Sequence, residues 1–427
     1  MDTHAPSSRI GGFHKFDRAQ RIESVAQFAQ LDDAEQALLH NTGNLPAELA
    51  DHLIENFVGT MNIPVGIATN MKIDGKDRLI PMATEESSVV AAVCNAARQC
   101  YGGGGFITSM SGTDMIAQIQ LTQVPDPQHA RLQILERKAA IREICDACDP
   151  VLVKLGGGFR DVEVRVLDTR AGAMVITHLI VDTRDAMGAN AVNTMAERIA
   201  PQIAEWTQGK TNLRILSNLA DRRLARARCT WRLDDIGGPQ VRDAMLAAYH
   251  FADADPYRAA THNKGIMNGI SAVVMATGND TRAVEAGAHA YAARSGRYAS
   301  LSTWEVSAEG DLVGSIELPM AVGLVGGATR LHPSARLALK ILGITTAEGL
   351  ARVIAAVGLA QNFSAMKALA TTGIQKGHMS LHSQNIAMMA GALGEEIDAV
   401  ARALVERGTV RLDVAEEVLA GLRGGRA

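Results

Sequence analysis

The chain has 427 residues, 47% of them hydrophobic, with 42 lysines and arginines against 46 aspartates and glutamates and a net charge of −4. That length fills two or three domains with real cores. The charge balance, without any long basic block, excludes the electrostatic footprint of a nucleic-acid or acidic-membrane binder and leaves a small molecule as the expected partner.

The N-terminus "MDTHAPSSRIGGFHKFD" lacks an apolar targeting core, and no run of about 18 apolar residues follows, so a cytoplasmic protein without a membrane span is expected. Residues 17–57 carry apolar side chains at helical spacing in "DRAQRIESVAQFAQL" and "LPAELADHLIENFVG", the second opened by Leu45-Pro46. "IPVGIATNMKIDGKDRLIPMAT" then reads as strand, Asp74-Gly75 turn, strand. "EESSVVAAVCNAARQC" reads as a buried helix with Glu85 and Glu86 at its start, and "YGGGGFITS" at 101–109 as a hinge into a second unit.

From Ala117 to Leu216 the order is strand, helix, strand, strand, helix, strand, an insert of about a hundred residues. Cys145 and Cys148 within it form a CxxC with no second pair, so no metal site is expected, and five cysteines fit a reduced compartment. Beyond the insert come further strand, the segment "RAATHNKGIMNG" (258–269), "ISAVVMATG" as a strand, and "RAVEAGAHAYAA" as a helix. More strand in "GDLVGSIELPMAVGLVGG" and a helix over 346–372 lead to a tail, Ser380 to Leu422, that is helical twice over with a break near Gly408. The fold class is α+β.

Lys264 stands apart: a solvating lysine sits among other charges, whereas this one is followed by Gly265, Met267 and Gly269. Glu85-Glu86 lies where a strand hands over to a helix; charge complementarity there is worth about 0.3–1 kcal/mol, and an acid facing a cleft is the functional alternative. "DAMGAN" (185–190) follows a strand and precedes a helix, so its amides can receive a phosphate, although it is not a GxGxxG fingerprint. Asp280 closes "MATGND" and is expected at a strand-to-helix turn as the N-cap of the next helix. His378 and His382 are one helical turn apart without an HExxH pattern, so neither is expected to bind metal.

Together, "ENFVG" (55–59), "PMATEESSVVAA" (81–92), "DAMGANAVNTMAE" (185–197), "ATHNKGIMNG" (260–269), "TGND" (277–280), "GLVGGAT" (323–329), "GLAQN" (358–362) and "GHM" (377–379) resemble hydroxymethylglutaryl-CoA reductase. The likeness runs from about residue 45 to the C-terminus and is greatest to the soluble bacterial class II enzymes, particularly the mevalonate-degrading kind. Class I members carry their catalytic lysine in an Asp-Lys-Lys segment, which here reads Asp221-Arg222-Arg223.

The resemblance implies a large α+β domain (1–110 and 218–373), an inserted small ferredoxin-like NAD-binding domain (111–217) and a C-terminal helical flap (374–427). It implies a catalytic set of Glu86, Lys264, Asp280 and His378, in which Asp280 holds the lysine and His378 protonates the departing CoA thiolate. Arg258 would clamp the free carboxylate of the hydroxymethylglutaryl group, with Ser88, Asn268 and Gln361 as hydrogen-bonding partners. Asp185, Met187, Gly188, Ala189 and Asn190 would form the nucleotide loop, and Asp149 would accept the adenine-ribose hydroxyls and favour NAD over NADP.

The family commonly has proline where Ser87 stands, and His14 and Lys15 occupy the place of an arginine available to a CoA phosphate. Coenzyme A enters as a substrate, alongside mevalonate and hydroxymethylglutaryl-CoA. Active sites in this family form between subunits with ENFVG at the contact, so a homodimer is the expected minimum and a hexamer, a trimer of dimers, the expected assembly. An NADPH-dependent biosynthetic reductase and a non-catalytic acyl-CoA-binding protein are the alternatives.

Overall fold

The computed structural model describes residues 7–41, 43, 45–371 and 374–424, with residues 374–381 described by their backbone only. Helices α1 (Arg18–Ala29), α2 (Asp33–His40) and α3 (Ala47–Leu53) come first. Both α1 and α2 open with capping boxes, Asp17 with Gln20 and Asp32 with Glu35, which satisfy backbone donors that a helix start otherwise leaves free.

Asp74 and Gly75, at φ +50° and +77°, turn β1 (Val65–Ile73) into β2 (Lys76–Ala83), as the sequence predicts. Helix α4 (Val89–Cys100) leads to β3 (Phe106–Met110). The glycine run is therefore not a hinge into the insert: it feeds a strand inside the large sheet. Gly105, at φ +75°, passes so close to Lys72 that a Cβ would stand 2.2 Å from its carbonyl oxygen.

The insert comprises β4 (Asp114–Thr122), α5 (Pro127–Glu136), α6 (Lys138–Asp146), α7 (Pro150–Lys154), β5 (Gly158–Thr169), β6 (Gly172–Asp182), α8 (Ala189–Thr207) and β7 (Lys210–Ser217). Its antiparallel sheet has the order β5-β6-β4-β7, the ferredoxin-like arrangement of a βαββαβ unit. Apolar side chains of α5, α6 and α8 form its own core against this sheet.

After the insert come β8 (Leu224–Trp231), α9 (Leu233–Ile236), α10 (Pro239–Ala254), α11 (Pro256–Ala276), α12 (Thr281–Ala292), β9 (Ser302–Val306) and β10 (Leu312–Pro319). The large sheet runs β2-β1-β3-β8-β10-β9. Helices α13 (Gly327–Leu331) and α14 (Pro333–Leu342) precede α15 (Ala347–Ala370), the centre of the large core. Helix α15 is long and apolar enough to cross a membrane, but 72% of its apolar window is buried inside the molecule. Phe363 on this helix stacks on Trp231 at 4.4 Å, with Trp304 alongside, whereas Trp206 lies on α8 under Arg137.

Two expectations change here. "ISAVVMA" is not a strand but the second half of α11, where Ile270, Val273 and Val274 are buried at helical spacing; a short apolar run fits either element until its neighbours are known. The tail holds three helices rather than two, α16 (Ile374–Met389), α17 (Glu395–Glu406) and α18 (Leu412–Gly424). Its breaks fall at Gly391, Gly394 and Gly408, all at positive φ.

Candidate active site

Helix α11 starts where Asp255 accepts the Arg258 amide at 2.9 Å and Pro256 supplies a preset first turn. Gly269 serves packing: a Cβ there would stand 2.9 Å from the Gln361 Cβ on α15. Lys264 and Asn268, one turn apart on the same face of α11, project together, Lys264 exposed and Asn268 half-buried. Lys264 Nζ donates to Glu86 Oε2 at 2.9 Å and Asn268 Nδ2 to the same oxygen at 3.3 Å.

Glu86 lies not in a helix but in the turn between β2 and α4, where Ser88 adopts φ +76°. A non-glycine residue in the left-handed region is held there only by its surroundings, and such strain gathers at functional sites. The Lys264 and Glu86 side chains are 60% and 38% exposed, so their pairing adds little stability; it aims two opposite charges at one point. Arg258 is half-buried with no carboxylate partner among the described residues, and burial lowers its pKa. Gln361 is buried and its Oε1 has no partner among the described residues.

His262 and Asn263, which sequence reasoning passed over, anchor the helix beneath the lysine. The Trp304 indole donates to Asn362 Oδ1 at 2.9 Å, which leaves Asn362 Nδ2 to donate to His262 Nε2 at 3.2 Å. Asn263 Nδ2 donates to the Ala299 carbonyl, and Asn263 Oδ1 accepts the Leu301 amide. Burial, with Arg258 one turn away, pushes the His262 pKa from 6.5 down to about 3.

An unfolded chain takes up a proton near pH 6.5 that the native ring refuses, so this contribution to stability is present above pH 6.5 and lost as pH falls toward 3. The melting temperature is expected to fall more steeply across that window in the wild type than in His262→Gln. Parallel curves would show that the ring is not the source.

Asp280 caps α12, not a helix that follows a strand, accepting the Arg282 and Ala283 amides at 3.0 and 3.2 Å. Burial alone would raise its pKa, but the Ala283 amide and Arg282 outweigh this and hold the carboxyl below its usual range. Within the chain Asp280 does not hold Lys264. Its ion-pair partner is Arg282, and the helix between Lys264 and Ala276 spans about 18 Å.

Around Asp280 a second cluster assembles. The Gly323 amide donates to Asn279 Oδ1 at 2.8 Å, the Leu324 amide donates to the Asp185 carbonyl, and Asp185 Oδ1 accepts the Ala347 amide. Gly323 lies against the DAMGAN loop, where a Cβ would stand 2.4 Å from the Met187 nitrogen. Gly188, at φ +98°, starts α8 without a side-chain cap, which leaves the first amides of the helix, at Ala189 and Asn190, open to an anion.

Asp149 is the N-cap of α7, accepting the Leu152 amide at 2.9 Å through Oδ1. His378 falls in α16, and its side chain lies outside the described residues. Burial pushes the Cys145 thiol up to about 12, and no metal-binding group of histidine, cysteine and acids forms among the described residues.

A lysine–carboxylate pair whose lysine shares a helix with an arginine without a carboxylate partner among the described residues, in a chain that also carries a ferredoxin-like insert with an open helix start, has the parts of an enzyme that reduces an acidic acyl substrate with a dinucleotide. The structure is similar to 3-hydroxy-3-methylglutaryl-coenzyme A reductase from Streptococcus pneumoniae, with a TM-score of 0.83 and 40% identity over 96% of this chain and 99% of that one. A class II reductase of the same organism, bound to NADPH in open conformations, aligns at TM-score 0.82 and 40% identity over 84% of this chain and 99% of that chain.

The reductase of Archaeoglobus fulgidus is 58% identical over 98% of this chain and 96% of its own length. A probable reductase of Borreliella burgdorferi is 34% identical over 87% of this chain and 84% of its own. The family profile described as hydroxymethylglutaryl-coenzyme A reductase matches residues 17–383. The chain belongs to the hydroxymethylglutaryl-CoA reductase family, in its class II branch, and the family implies a nicotinamide cofactor.

Proposed function

We propose that the protein interconverts (R)-mevalonate, CoA and two NAD with hydroxymethylglutaryl-CoA and two NADH, acting in the cytoplasm and running oxidatively for mevalonate breakdown. The observation that carries this reading is the convergence of Lys264 and Asn268 on Glu86 Oε2. In the reductive direction a thioester passes through a hemithioacetal to an aldehyde and then to a primary alcohol, and the dinucleotide supplies the hydrides.

Each reduction places negative charge on a former carbonyl oxygen. The Lys264 ammonium, aimed from a rigid helix, stabilises that charge more in the transition state than in the ground state. Glu86, on the same ammonium, gives or takes the proton at the aldehyde stage. Arg258 is a half-buried guanidinium with no carboxylate partner among the described residues, which suits the free carboxylate of the substrate. Ser88, Asn268 and Gln361 complete the pocket for the hydroxymethylglutaryl group, and the Oε1 of Gln361, unpartnered among the described residues, leaves an acceptor for that group's hydroxyl. His378 is assigned the proton that releases the CoA thiolate.

The separation of Lys264 from Asp280 supports a site shared between subunits. One end of α11 carries the substrate residues and the other adjoins the nucleotide loop, so a second copy is needed to bring the two together. The segment around ENFVG offers a surface for that copy: Ile54, Val58 and Met61 are 57%, 100% and 90% exposed. A homodimer is the minimum in this reading, and a trimer of dimers the full assembly.

The uncapped start of α8 at DAMGAN fits a pyrophosphate, and Asp149 keeps Oδ2 for ribose hydroxyls while Oδ1 caps α7. A carboxylate there repels a 2′-phosphate, which supports NAD. NADPH, the ligand of the Streptococcus pneumoniae structure, is the second reading. Following nicotinamide absorbance with mevalonate, CoA and either dinucleotide tests both: faster turnover with NAD is expected, and Asp149→Ala should narrow the gap. An NADP preference that survives Asp149→Ala would remove that assignment, and no turnover with either dinucleotide would favour a non-catalytic acyl-CoA binder.

A further inference from the structure

The segment Asp221-Arg222-Arg223, aligned with the lysine-bearing stretch of class I relatives, takes no part in the Lys264 cluster. Arg222 pairs with Glu163 at the surface, but Arg223 is completely buried. Its Nη1 donates to Thr183 Oγ1 at 2.9 Å and to the Ala186 carbonyl at 3.0 Å, and its Nη2 donates to the Val322 carbonyl at 2.6 Å. No carboxylate forms an ion pair with it among the described residues, and its Nε has no partner. Asp182, Asp185 and Asp114 act on it only at longer range.

A guanidinium buried on neutral oxygens is expensive to desolvate, and an apolar side chain of similar size would fill the space without that penalty. What the planar fork adds is a link between two carbonyls on different segments. One is Ala186, inside the DAMGAN loop. The other is Val322, whose neighbour Gly323 donates to Asn279 next to Asp280 and lies against the Met187 nitrogen.

We infer that Arg223 is a positioning residue for the dinucleotide, fixing the DAMGAN loop in register with the turn that carries Asp280. The inference rests on reading DAMGAN as the nucleotide loop. A lysine at the position replaces the two-pronged fork with a single donor atom and keeps the charge, and a methionine donates to neither carbonyl.

The test uses full-length Arg223→Met and Arg223→Lys, with NADH and NADPH affinity measured by calorimetric titration, hydroxymethylglutaryl-CoA affinity measured the same way, and folding checked by circular dichroism. Arg223→Met is expected to weaken both dinucleotides by the same factor, on the order of tenfold or more. Arg223→Lys should weaken them less, and the acyl-CoA affinity should hold, because its residues lie toward the other end of α11.

If Arg223→Met does not fold, Arg223→Lys alone decides. Undiminished dinucleotide affinity in a folded variant would overturn the inference, as would an equal loss of acyl-CoA affinity, which marks general structural damage. Wild-type protein that binds neither dinucleotide would overturn the functional reading as well.

Discussion

Replacing Lys264 with alanine is expected to lower thioester turnover by at least roughly 10²–10³-fold, the usual loss when a donor aimed at a developing oxyanion is removed. The fold should survive, because the side chain is 60% exposed and its one ion pair is at the surface. Hydroxymethylglutaryl-CoA should still bind through Arg258 and Gln361, so the loss belongs in kcat rather than in KM. Near-normal turnover in a folded Lys264→Ala protein would end the oxyanion assignment. A matching rise in KM with kcat intact would instead make the lysine a binding group.

Mixing two inactive proteins, Lys264→Ala and Asp280→Ala, is expected to restore activity. If each site takes its lysine from one subunit and its aspartate from the other, a mixed dimer carries one intact site and one doubly damaged site. Random exchange then yields about a quarter of wild-type activity, given a two-fold dimer. If both residues acted within one chain, every site in the mixture would keep a defect and no activity would return. The expectation follows from α11, which holds Lys264 and the Asp280 turn about 18 Å apart along its axis.

Local pattern was enough to read the Asp74-Gly75 hairpin and the succession of strands along the insert, because turn chemistry and period-two alternation are properties of short segments, whereas their order in the sheet came only with the family resemblance. The motifs around Glu86, Lys264 and Asp280 were legible only through family resemblance, since each has an ordinary local use and Asp280 does cap a helix. Where α11 continues was not legible: "ISAVV" is β-branched enough to suggest a strand, and only burial against α15 makes it a helix.

The separation of Lys264 from Asp280 and the clamp made by Arg223 were likewise hidden, because they depend on which distant segments meet. Of the two glycines that follow Lys264, Gly269 is where α11 lies close against α15.

The three tryptophans provide an optical reporter. Trp231 and Trp304 sit against Phe363 in the core of the large domain, on the helix that also carries Gln361. Trp206 stands near the far end of the helix that starts at the nucleotide loop, in a different core. Its emission overlaps the absorption of a reduced nicotinamide, and energy transfer from it reports dinucleotide arrival. Trp231 and Trp304 emit in the same range from the large core, so the fall in energy transfer when Trp206 is replaced by phenylalanine measures the share that comes from the insert.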